Sequence, residues 1–285
     1  MDVLETNKNV YKRWAANKLE AFTANINDLL VEISNPKHPS NAEIGKIKGI
    51  MESYNIVFYE FSKPNSENTK NSLIRLLNSL EITDFAQDSK SDANGVTPIG
   101  VNPDSNSEEE YIPYTDKSLN WHTDGYYNQA DETIYSWLLH CSRSALNGGV
   151  NSFIDHEIAY ILFNELTNKI NSLMSQDAYI IPENKKNGRK EIKSYVFSYN
   201  NPYKKLHMKF TMREKNIIWN QNDNEAIQIL KSIIENNNDY KIKYKLKPNQ
   251  GVITNNVIHS RTAFTNDINH HRLIYRIRSK QRINL

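Results

Sequence analysis

His122-Thr123-Asp124, together with a histidine 137 residues later, His259, constrains what this chain can fold into more than any other feature. On a β-strand successive side chains point to opposite faces, so His122 and Asp124 share one face while Trp121 and Thr123 share the other. Two groups on one strand close only two corners of a site, so a third must arrive from a distant strand. His259 ends the run Gly251-Val252-Ile253-Thr254-Asn255-Asn256-Val257-Ile258, which reads as a glycine-marked turn and a short β-branched strand. A barrel of about eight strands with insertions places an early and a late strand about that far apart in sequence.

At 285 residues the chain can bury a sizeable core, and no repeat or compositional break divides it. One domain over 1–285 is expected, helix-rich to about residue 82 and β-rich from about 110 to 280. A net charge of +2 gives no bulk electrostatic reason for a nucleic-acid or membrane partner. Mean hydropathy is −0.69. The sequence shows no apolar run of about 18 residues and no signal pattern at its start. The single cysteine, Cys141, excludes an intrachain disulfide and fits a reducing compartment. The expectation is a cytoplasmic protein acting on a small molecule, with its oligomeric state, a homodimer included, left open.

The spacing of apolar residues predicts a helix from Tyr11 to Ile33, stopped by Pro36. Ser40-Asn41-Ala42-Glu43 is a capping-box pattern opening a second helix. Ile56 to Phe61 reads as a strand and Ser66 to Leu80 as a helix. The polar stretch from Thr83 to about Tyr111, with its acidic run Glu108-Glu109-Glu110, reads as a solvated loop, with a lid over a site as the functional alternative. Ile134 to Cys141 and Val150 to Ile154 read as strands, with Asp155 capping a helix from Glu157 to Leu166. Asp223 to Asn236 is an amphipathic helix.

Two imidazoles and one carboxylate on one side of an ion leave open positions on the other, the donor set suited to non-haem Fe(II) oxygen chemistry. Alone, His-x-Asp is a weak signal, and its bland reading is a core histidine beside a capping aspartate. The alternating strand Arg272-Leu273-Ile274-Tyr275-Arg276-Ile277-Arg278 adds weight, placing Arg272, Ile274, Arg276 and Arg278 on one face. Such a strand can be a basic edge that deters aggregation. An arginine facing inward is better explained as a carboxylate clamp, because a guanidinium donates two parallel hydrogen bonds. Asp155-His156-Glu157 mimics a ligand cluster, but adjacent residues at a helix start diverge. His140 and His207 read as satisfied structural histidines, His270 and His271 as surface residues, and Cys141 as buried.

Over roughly residues 110 to 280 the chain resembles the taurine dioxygenase and clavaminate synthase-like branch of the Fe(II)/2-oxoglutarate-dependent dioxygenases. The resemblance rests on Trp121-His122-Thr123-Asp124-Gly125, Gly148-Gly149-Val150-Asn151, Asp155 to Tyr160, His259-Ser260-Arg261-Thr262-Ala263-Phe264 and Arg272 to Arg276. It implies a mixed, mainly β fold built on a double-stranded β-helix (jelly-roll) barrel with flanking helices. It further implies that His122, Asp124 and His259 hold the iron, and that 2-oxoglutarate and O2 are co-substrates. The distal carboxylate of 2-oxoglutarate would pair with Arg272, 13 residues past His259, and Arg276 would meet the proximal carboxylate or an anionic substrate. The two arginines can be exchanged in this scheme. Asn151 stands where the family often has a threonine that bonds 2-oxoglutarate.

The implied chemistry turns 2-oxoglutarate into succinate and CO2 while a substrate C–H bond is hydroxylated, desaturated or cleaved. Tyr126, Tyr127, Arg213 and Arg276 are the candidates for the substrate pocket, with Phe210 to Met212 and Trp219 nearby in sequence. Arg213 and Arg276 together would suit a small amino acid, carboxylate or sulfonate. Two other classes remain: a hydrolase using the His/Asp/His site, which would need no 2-oxoglutarate, and a non-catalytic iron- and 2-oxoglutarate-binding barrel.

Overall fold

The computed structural model describes residues 7–62, 69–101, 112–185, 188–215, 217–221, 224–236 and 239–283. The acidic run at 108–110 lies outside them. Five longer helices are α1 (Lys8–Glu20), α2 (Asn41–Tyr54), α3 (Thr69–Ser79), α4 (His156–Leu166) and α5 (Asn224–Asn236). The strands that matter for the site are β1 (Leu30–Ile33), β2 (Ile56–Phe61), β3 (Thr97–Ile99), β4 (Leu119–His122), β5 (Ser136–Arg143), β6 (Asn151–Ile154), β7 (Ile242–Tyr244), β8 (Gln250–Thr254), β9 (Ile258–Arg261) and β10 (Leu273–Ser279).

Hydrogen bonding sorts these strands into a six-stranded sheet, ordered β1-β2-β8-β5-β10-β3, and a four-stranded sheet, ordered β7-β6-β9-β4. The sheets pack through Phe58, Trp137, Val252 and Ile274 on one side and Phe153 and Ile242 on the other. Phe58 meets Phe153 edge-on at 5.7 Å between ring centroids. A fully buried side chain of this size stabilises by roughly 1.5–3 kcal/mol. The outer face of the larger sheet (Val57, Tyr59, Leu138, Ile253, Ile277) is covered by Ile44, Ile47 and Met51 of α2 and by Leu73, Leu76 and Leu77 of α3. On the far side of the smaller sheet lies a third core containing Phe163 of α4 and Leu230 and Ile234 of α5. The fold is mixed and mainly sheet. No helix among the described residues is long and apolar enough to cross a membrane.

Local signals explain much of this. Ser40 and Glu43 form the reciprocal capping box at the start of α2, and the Asp155 carboxylate accepts from the Glu157 backbone at the start of α4. Two expectations need correction. The helix foreseen from Tyr11 to Ile33 ends at Glu20, and Leu30-Val31-Glu32-Ile33 becomes β1, parallel to β2. Val31 and Ile33 alternate with Glu32, so a two-residue period that buries two apolar side chains wins over helical spacing. The stretch from Thr83 onward is not loop throughout, because Thr97–Ile99 pairs with Ile274 to Arg276 as β3.

Candidate metal centre

β4 ends on His122, and the β4–β9 ladder sets His122 directly opposite His259, with ring centroids 4.2 Å apart. The strand foreseen to carry both His122 and Asp124 ends at His122; beyond it Thr123 exchanges two hydrogen bonds of 2.9 Å with Phe210, one backbone and one through its hydroxyl, and the chain turns at Asp124. Asp124 follows, fixed by its main chain. The Asn256 side chain accepts from the Asp124 backbone N–H at 2.8 Å and donates to the Asp124 carbonyl at 2.9 Å. The same amide donates to the Ile134 carbonyl and accepts from Trp137 Nε1. Asn256 adopts φ 57°, a left-handed conformation that asparagine tolerates better than most residues.

Both imidazoles are oriented from behind. His122 Nδ1 lies 2.8 Å from the Asn120 carbonyl and His259 Nδ1 lies 3.1 Å from the Val257 carbonyl. A carbonyl only accepts, so each Nδ1 donates, and that bond turns each Nε2 toward Asp124. The Nε2 atoms stand 3.5 Å and 3.8 Å from Asp124 Oδ1. One ligand atom from each residue fits within a span of 4.8 Å. Burial and the neighbouring His122 push the His259 imidazole down to about 3, so it is neutral near pH 7. Burial works to raise the Asp124 carboxyl, yet Arg276 beside it keeps it far below the carboxylate range. Among the described residues, His122, Asp124 and His259 are the group of His, Cys, Asp and Glu side chains placed closely enough to hold a metal ion.

The arginines divide into two groups. Arg276 lies between Asp124 Oδ2, at 3.5 Å, and Asp88 Oδ2, at 3.2 Å. Arg278 meets the same Asp88 oxygen at 3.1 Å and reaches toward the Tyr127 hydroxyl at 3.5 Å. Asp88 also accepts from Thr97 Oγ1 and the Lys90 backbone. Arg272 stands apart, in a recess lined by Cys141, Gly148, Gly149, Asn151, Lys245 and Ile274. It is 7% exposed, its guanidinium has no hydrogen-bond or ion-pair partner among the described residues, and it stacks over Phe264 at 5.0 Å. Arg261 covers the same ring at 4.8 Å and donates to the carbonyls of Thr115 and Lys117. Asn151 is buried, and its amide likewise finds no partner among the described residues.

Gly148 closes this recess. A Cβ there would sit 2.1 Å from the Ala263 carbonyl oxygen, and φ is +67°. Gly148→Ala is expected to cost about 1–3 kcal/mol from backbone strain alone, readable as a lower denaturation midpoint. An unchanged midpoint would mean the turn is not held as described.

Of the other candidates, Tyr127 reaches the Arg278 group, whereas Tyr126 is buried in the third core and its carbonyl accepts from the Tyr179 hydroxyl. Arg213 is exposed, with no side-chain hydrogen bond or ion pair among the described residues. Trp219 packs against Tyr179 and Phe210 in the third core. Asp88, Arg278 and Lys245 join the site without having been singled out. Asp88 sits in a polar stretch with no motif around it, while Arg278 was visible only as one residue of an alternating face. His140 accepts or donates at 3.1 Å to the Tyr59 hydroxyl. His207 departs from expectation: it is buried, and neither ring nitrogen has a hydrogen-bond partner among the described residues. Burial holds it neutral, and its ring packs on Tyr135.

The family described as taurine catabolism dioxygenase TauD, TfdA family, matches residues 20–278. The chain belongs to this family. No individual curated sequence is significantly similar to it. Among solved structures, an asparagine oxygenase in complex with Fe(II), 2S,3S-3-hydroxyasparagine and succinate is 11% identical, with a TM-score of 0.60 over 88% of this chain and 93% of that one. The non-heme iron oxygenase OrfP, in complex with Fe, succinate and (3S)-hydroxy-L-Arg, is 11% identical, with a TM-score of 0.60 over 93% and 91%. PvcB from Pseudomonas aeruginosa is 13% identical, with a TM-score of 0.60 over 88% and 85%. These likenesses establish a shared fold, and the TauD/TfdA match establishes a dioxygenase family.

Proposed function

We propose that this TauD/TfdA-family chain is an Fe(II)- and 2-oxoglutarate-dependent oxygenase that hydroxylates a small polar or anionic substrate, an amino acid being the favoured class. The observation that carries the reading is the pairing of the His122, Asp124 and His259 cluster with Arg272 and Asn151, whose side chains have no polar partner among the described residues. Asn151 lies opposite Arg261 in the β6–β9 ladder, two positions from His259. Two strand residues span about 6.6 Å, comparable to the length of a five-carbon diacid. We read the two facing sheets as the double-stranded β-helix of the family.

In this scheme His122, Asp124 and His259 hold the iron, and Arg272 with Asn151 holds the distal carboxylate of 2-oxoglutarate. Iron, when bound, supplies the coupling of O2 reduction and 2-oxoglutarate decarboxylation to oxidation of a substrate C–H bond, with succinate and CO2 released. Arg276 is committed to Asp124 and Asp88, which favours Arg272 as the co-substrate clamp. Asp88 aims Arg276 and Arg278 along one edge of the site, and with Tyr127 they present donors to a substrate carboxylate. The asparagine- and arginine-derived products bound by two structural neighbours support an amino acid there. The buried aromatic packing around Trp137 and His259, 4.6 Å apart, keeps bulk water from the ligand side.

The test is an anaerobic titration with Fe(II) and 2-oxoglutarate, following the weak visible charge-transfer absorption. The band is expected in the wild type and absent in His122→Ala and Arg272→Ala. A fully metallated wild type without the band overturns the reading.

A further inference from the structure

The recess around Arg272 contains a second cation. Lys245 follows β7 and lines the same walls as Arg272, Asn151 and the Gly148-Gly149 turn. Its ammonium donates to the Ala145 carbonyl at 3.1 Å and to the Leu146 carbonyl at 3.3 Å. An ammonium has three N–H donors, so one remains unused among the described residues. Among the described residues no aspartate or glutamate lines the recess. Both cations act on the Cys141 thiol, and burial still pushes that thiol up to about 11, so it stays neutral and supplies no counter-charge. Half-buried Lys245 and buried Arg272 share a small pocket with no carboxylate among the described residues. The desolvated charge is that of Arg272, and it is costly unless a ligand neutralises it.

We infer that Lys245 acts with Arg272 as a second cation for the distal carboxylate of the 2-oxo acid. The inference rests on the co-substrate reading above and adds a residue to it. The Arg272 fork takes both carboxylate oxygens in its plane, and the third Lys245 N–H approaches from the β7 side. The Ala145 and Leu146 carbonyls hold the lysine in place, so the charge is positioned before the ligand arrives.

The test is calorimetric titration of Mn(II)-loaded, oxygen-free protein with 2-oxoglutarate and with 2-oxopentanoate, which has the same chain length but no distal carboxylate. Lys245→Gln keeps a donor for the two carbonyls while removing the charge; Lys245→Arg keeps the charge. Lys245→Gln is expected to weaken 2-oxoglutarate binding about tenfold or more, the loss of one charge-assisted bond. Its 2-oxopentanoate and Mn(II) affinities should stay unchanged, and Lys245→Arg should recover most of the 2-oxoglutarate affinity. Unchanged 2-oxoglutarate affinity in Lys245→Gln, with Arg272→Ala strongly impaired, overturns the role of Lys245 alone. Unchanged affinity in Arg272→Ala overturns the co-substrate reading beneath it.

Discussion

Lys18→Met is expected to lower the free energy of unfolding by about 3–5 kcal/mol, the usual consequence of removing one partner from a buried ion pair. Lys18 of α1 is buried with its ammonium 2.7 Å from Asp155 Oδ2, 2.6 Å from Glu157 Oε2 and 2.7 Å from the Ser53 carbonyl. Asp155 is also bonded by Asn55, whose own side-chain oxygen accepts from Arg282. Without the lysine two carboxylates at the start of α4 share a desolvated pocket. For a chain of this length the loss corresponds to roughly 6–20 °C in Tm.

The effect should depend on pH with a definite sign. Burial acts to raise Glu157, but Lys18 overrides it and holds the carboxyl well below its ordinary 4.5. Its contribution is therefore complete above about pH 4.5 and fades as pH falls toward the lowered value. Lys18 is raised above 10.5 because Asp155 and Glu157 outweigh its burial, so that contribution is complete below about pH 10 and fades above. The gap between wild type and Lys18→Met should be constant between about pH 5 and 10 and should narrow on acidification. Denaturant titrations at pH 7 and pH 3.5 check this; a gap that widens at pH 3.5 would contradict the assignment.

Asp124→Ala is expected to weaken Mn(II) or Fe(II) binding on the order of a hundredfold or more, since loss of an outer partner of a metal ligand alone costs about 10–100-fold. The substitution removes the one carboxylate of the cluster and leaves two imidazoles. The fold should survive, because Asn256 holds the main chain of residue 124 rather than its side chain, and Arg276 keeps Asp88. Anaerobic calorimetry with circular dichroism separates the two effects. Wild-type metal affinity in this variant would show that Asp124 is not a ligand.

Local patterns made parts of this molecule legible. The Ser40–Glu43 box, the strand at Ile56 to Phe61 and the Asp155 cap are written in contiguous residues, and the structure shows each. His122, Asp124 and His259 are grouped in the sequence by strand periodicity and a turn-strand-His pattern, and they do come together, although β4 ends at His122 and Asp124 sits in the turn beyond it rather than on the same strand. Asp88 was invisible for a physical reason. Its importance comes from two arginines about 190 residues later, through contacts set by the β3–β10 pairing rather than by any local period. Lys245 is similar: its partners are carbonyls about 100 residues earlier, and backbone carbonyls leave no trace in residue identity. Tyr126 and Tyr127 meet edge-on with ring centroids 5.1 Å apart, yet Tyr126 is a buried member of the third core while the Tyr127 hydroxyl also reaches toward Arg278. Sequence proximity to His-x-Asp could not tell them apart.

Asn256 carries a further consequence. Its single amide ties together the Asp124 main chain, Ile134 and Trp137 from a position three residues before His259. One side chain thus sets the turn that carries Asp124 against the strand that carries Trp137 and the approach to His259. Three segments far apart in sequence share a single fastening, so a change at Asn256 would be felt in all of them at once.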